Sequence, residues 1–137
     1  MRVKLILVFT ALFLVLSLTQ CKSKNEKNLV GVWQLQTLVI NGALLQGNSL
    51  GNWLWEFNEQ GGYLTDVAGM REKGKYTLKD SILTLKILIP KDGPTQVYKV
   101  IKLDTAQLDL FYFENHNRST LHFIKRNVGD VAAGDKD

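Results

Sequence analysis

The 137-residue chain has one cysteine, Cys21, and two histidines, His116 and His122. A lone cysteine closes no internal disulfide, which excludes a disulfide-stapled scaffold. The two histidines have no acidic pair at metal-ligand spacing, so no metal site is expected. There is no G-x-S-x-G and no glycine-rich phosphate loop, and Asp66, Glu72 and Asp104 are single carboxylates near turns. No catalytic residue, enzyme activity or cofactor is therefore expected. Charge of one sign is scarce as well. Of 17 basic side chains, Arg2 and Lys4 lie in the first twenty residues, leaving 15 against 13 acidic ones. That balance argues against a nucleic-acid partner, which would need a basic face. The longest apolar run, Leu5–Leu16 interrupted by Thr10, falls short of the roughly 20 residues that span a bilayer. The length fits one domain.

What is present begins with a leader. Arg2 and Lys4 form a positive start, Leu5–Leu16 an apolar core and Ser17-Leu18-Thr19-Gln20 a more polar end, the three parts of a secretory signal. An uncleaved anchor is the other reading of this segment. Leu18-Thr19-Gln20-Cys21 resembles the lipobox of bacterial lipoproteins, with Gln20 where that motif usually has a small residue. The resemblance implies that residues 1–20 are removed and that Cys21 becomes a lipidated N-terminus. The chain would then be held on a membrane of the cell envelope, the outer membrane facing the periplasm. Residues 22–28 (KSKNEKN) carry no apolar side chain and read as a flexible tether, and 127–137 (NVGDVAAGDKD) as a disordered tail.

From Leu29 to Arg126 the dominant period is two. Trp33 and Leu35 alternate with Gln34 and Gln36, Trp53, Trp55 and Phe57 with Leu54 and Glu56, and Leu83, Leu85 and Ile87 with Thr84 and Lys86. Asn41-Gly42, Gly61-Gly62, Asp80-Ser81, the segment 90–94 and Asn115-His116-Asn117 supply turns. The pattern predicts an all-β fold, an eight-stranded antiparallel up-and-down barrel with strands at 29–40, 53–57, 63–67, 74–79, 82–89, 96–103, 107–114 and 119–126. In such a meander alternate connections share an end. The connections 41–52, 68–73, 90–95 and 115–118 collect at one mouth, and the shorter 58–62, 80–81 and 104–106 close the other.

Three segments carry a resemblance. Gly31-Val32-Trp33 is similar to the G-x-W that opens lipocalin and fatty-acid-binding barrels. The stretches from Trp55 to Tyr63 and from Gly74 to Leu83 resemble repeats of the lipocalin-like domains of small Gram-negative lipoproteins, and Phe123-Ile-Lys-Arg126 resembles their basic end. The resemblance covers 29–126. It implies that Gly31 and Trp33 form the closed end and that Arg126 packs over the Trp33 ring.

Two functions stay open at this stage. Trp53, Trp55, Phe57, Tyr63 and Tyr76 share the interior face, either filling a small barrel or lining a cavity for a hydrophobic or amphipathic ligand. Leu44, Leu45 and Leu50, in the first connection, are candidate portal residues. A filled barrel would instead suit a structural or interaction module with an envelope protein partner. Phe111 and Phe113 are expected to point outward if Leu108 and Leu110 point in.

Overall fold

The structure is a computed structural model and describes residues 23–127. The leader, Cys21 and residues 128–137 lie outside the described residues. A short helix, α1 (Lys24–Leu29), precedes nine strands: β1 (Gly31–Ile40), β2 (Ala43–Gln46), β3 (Trp53–Phe57), β4 (Gly62–Val67), β5 (Met70–Lys79), β6 (Ile82–Ile89), β7 (Thr95–Leu103), β8 (Gln107–Glu114) and β9 (Asn117–Arg126). All pair antiparallel in one sheet, and β1 also pairs with β9, so β1 and β3 to β9 close an eight-stranded barrel.

The remaining strand, β2, shares one edge of β1 with β3. β3 pairs with its first half, Gly31–Gln34, while β2 folds back and pairs with Thr37–Ile40. The expected loop 41–52 is therefore mostly a hairpin, turned at Asn41-Gly42 with φ of 49° and 86°. Asn-Gly takes these left-handed angles readily, and they match the twist of the flanking strands. A second difference lies at 68–73. Ala68 and Gly69, with φ of 52° and 85°, make another two-residue turn, and β5 begins at Met70 rather than Gly74. The mouth is thus bounded by two-residue turns at 41–42, 68–69 and 115–116 as well as by the longer connections at 47–52 and 90–94.

Nor is the segment before the barrel a flexible tether over 24–28. Ser23 caps α1: its Oγ accepts from the Glu26 amide and the Glu26 carboxylate accepts from the Ser23 amide, both at 3.2 Å. The helix has a reason to stay. Leu29 is fully buried in the core, and its carbonyl accepts from Trp33 Nε1 at 2.7 Å.

Lys125, not Arg126, covers the Trp33 ring. Lys125 is the Cα partner of Trp33 and shares its inward face, its Nζ lying 4.8 Å from the ring centroid. Arg126 opposes Val32, one residue along, and a shift of one residue reverses the face of a strand. Lys125 Nζ also donates to the Asn28 and Val30 carbonyls at 2.7 and 2.8 Å, satisfying acceptors at the end of α1. Burial draws its pKa below the ordinary lysine value. Gly31 makes room for this side chain. Its φ is +136°, and a Cβ there would meet Lys125 Cε at 3.0 Å.

Candidate functional site

The barrel interior divides into two halves. Toward α1 it is filled by Trp33, Phe57, Phe123, Leu83, Leu85 and Leu108, none more than 1% exposed. Phe57 sits edge-on to Tyr76 at 5.1 Å and tilted to Tyr63 at 6.4 Å. Tyr63 lies over Gly74, where a Cβ would approach its ring to 2.7 Å and the Lys86 carbonyl to 2.0 Å. Tyr76 donates to the Asn58 carbonyl at 2.8 Å. Phe57, Tyr63 and Tyr76 are therefore packing residues of the closed half and not, as expected, lining residues.

The other half is hollow. A cavity of about 360 Å³ opens at the mouth, within the usual range for small-molecule sites. Two rungs of the sheet make one wall, because directly paired residues project on the same side. Trp53, Val67 and Met70 form the outer rung and Trp55, Thr65 and Glu72 the inner one. Leu38 and Ile40 of β1, Gln96 and Tyr98 of β7, Tyr112 of β8, and Ser119 and Leu121 of β9 complete it. Trp55 separates the halves, touching Phe123 on one side at 4.9 Å and Tyr98 on the other at 5.4 Å. Short side chains at Thr65 and Ser119 stand where the closed half has large rings.

The wall is apolar with a few polar groups. Tyr98 donates to Gln96 Oε1 at 3.0 Å. Burial, then the charges of Tyr112 and Glu72, push the Tyr98 hydroxyl well above its ordinary value. Burial and Glu72 push Tyr63 up to about 12. Trp55 Nε1 and Tyr63 Oη are buried without a hydrogen-bond partner among the described residues.

Of the candidates, the structure brings only Trp53 and Trp55 to the cavity. Leu44 and Leu45 are exposed on β2, and Leu50 is a core residue at 7% exposure, so none of the three lines an entrance. Leu50 anchors its segment instead of gating it. Leu108 and Leu110 point inward and Phe113 outward, as the alternation of β8 predicts. His122 lies beside Asp109, its direct partner across β8 and β9. Cys21 lies outside the described residues. Glu72, Tyr98 and Tyr112 are among the lining residues that sequence reasoning missed. The signal for Glu72 was its even spacing from Tyr76 and Leu78, which puts it on their face.

An eight-stranded barrel, plugged by a short helix over a G-x-W tryptophan and hollow at the opposite mouth, has the architecture of a lipocalin-like protein. The chain belongs to the family of the lipocalin-like domain, whose model matches residues 29–110. A crystal structure described as a lipocalin-like protein from Bacteroides uniformis is similar with a TM-score of 0.58 at 20% identity, covering 72% of this chain and 99% of that one. An uncharacterized protein from Bacteroides eggerthii is similar with a TM-score of 0.53 at 19% identity and the same coverage. At such identities the likeness concerns the fold. No curated protein matches the chain in sequence.

Proposed function

We propose that the protein is an envelope lipoprotein, anchored through a lipid on Cys21, whose barrel carries a small amphipathic ligand in the mouth cavity. The half-hollow interior is the observation that carries this reading. A barrel serving only as a scaffold gains by filling its core, since voids forfeit packing energy. Here about 360 Å³ lies behind two tryptophans, next to a closed half packed to its centre. The anchor rests on the leader and its single cysteine, and the outer membrane facing the periplasm is the location that suits it. α1 begins at Lys24, three residues after Cys21 in sequence, and lies at the closed end, so an anchored barrel turns its mouth away from its own membrane.

Fluorescence of Trp53 and Trp55 tests the cavity, because indole emission follows the polarity around the ring. Titration with 1-octanol should change emission saturably, and Trp55→Ala should weaken binding. No saturable change would leave a structural or interaction module of an envelope complex. Labelling with a palmitate analogue tests the anchor: wild type should be marked and Cys21→Ser should not.

A further inference from the structure

Glu72 is the one charged side chain in the cavity wall, and it stands on the inner rung beside Trp55 and Thr65. It has no ion-pair partner among the described residues. Its two cationic neighbours in sequence, Arg71 and Lys73, stand on the opposite, exposed face of β5, and Arg71 Nε lies 2.9 Å from Asp66 Oδ2. A half-buried carboxylate without a partner is unfavourable unless something compensates it. The rings around it are of the kind that compensates a cation: Trp53, Trp55, Tyr98 and Tyr112 all line the same space. Tyr98 and Tyr112 lie 4.9 Å apart, and Trp55 meets Tyr98 edge-on, so three of the four form one continuous wall.

We propose that the cavity selects an amphiphile with a positively charged nitrogen head, an alkylammonium in the simplest case, held by Glu72 and the surrounding aromatic rings. The proposal rests on the binding reading above and adds the charge of the ligand. Lysine, arginine and histidine are absent from the lining, so a fatty acid would meet Glu72 with nothing to neutralise its own carboxylate. Glu72 pairs directly with Thr65, whose partner on its other side is Trp55, so it stands on the same rung as the ring at the centre of that wall.

The test uses three probes of equal chain length: octyltrimethylammonium, 1-octanol and octanoate, titrated into the intact protein by tryptophan fluorescence and calorimetry. The ammonium should bind about tenfold more tightly than the alcohol, and octanoate more weakly than either. Glu72→Gln should cut the preference for the ammonium over the alcohol several-fold and, by removing an unpaired carboxylate, leave thermal stability at or above that of the wild type. Equal affinities, a preference for octanoate, or a preference for the ammonium undiminished by Glu72→Gln would each overturn the proposal while leaving the cavity reading standing. Failure of all three probes to bind would overturn both.

Discussion

The plug at the closed end can be weighed through Lys125. Lys125→Met keeps the aliphatic stem over Trp33 and removes only the ammonium. The loss comprises one cation–π contact at 4.8 Å and two hydrogen bonds, to the Asn28 and Val30 carbonyls. A cation–π contact contributes about 0.5–2 kcal/mol, and each hydrogen bond from a charged donor about 1.5–3 kcal/mol. Water reaches part of the freed carbonyls, and the desolvation that lowers the lysine pKa is relieved, so the net loss should be about 1–3 kcal/mol. For a domain near 100 residues that is a fall of roughly 5–15 °C in Tm. Urea and thermal unfolding followed by circular dichroism would measure it. Arg126→Met should change stability by less than about 0.5 kcal/mol, as surface substitutions do. Combined with Trp33→Leu, Lys125→Met should cost less than the sum of the two changes, because the side chains touch. The reasoning fails if Arg126→Met is the more damaging variant, or if the double mutant is strictly additive.

Gly74→Ala should destabilise the barrel by about 2–3 kcal/mol or more in chemical denaturation, because a Cβ would collide with the Lys86 carbonyl and the Tyr63 ring. Leu50→Ala should cost about 2–5 kcal/mol and Leu44→Ala almost nothing, separating an anchored segment from an exposed strand. Alkaline titration should show late tyrosine ionisation. Tyr63, Tyr76, Tyr98 and Tyr112 all have raised hydroxyl pKa values, Tyr63 reaching about 12. The folded state therefore keeps protons that the unfolded chain releases near pH 10, and this stability is full below about pH 10 and lost as pH rises through the folded values. Phenolate absorbance should appear with the loss of structure, and a native protein titrating at about 10 would contradict the burial.

The alternation of the strands was the most legible feature. Its period placed β3, β6 and β8 at their observed limits, because each has a buried face that switches every second residue. β2 was hidden because all four of its residues are exposed, leaving no burial pattern to read. α1 has six residues and a single apolar one, too few for a helical stripe, although Ser23-x-x-Glu26 is a capping signature. Lys125 and Arg126 differ by one position, and only the pairing of β9 with β1 decides which of them faces Trp33. Glu72 was obscured because the segment 68–73, with Gly69 and three charged residues in a row, looks like a loop until Ala68, an unusual residue at positive φ, completes a tight turn. The site is thus half visible in sequence: its tryptophans alternate clearly, while its polar members depend on where one turn ends.

Native mass spectrometry of the protein purified under non-denaturing conditions from the cells that make it addresses the central claim most directly. If the mouth cavity carries a ligand, the spectrum should contain a population heavier than the unliganded protein by one small molecule. That population should be released by mild activation and diminished in Trp55→Ala. A single unliganded mass that takes up none of the added 1-octanol would contradict the account.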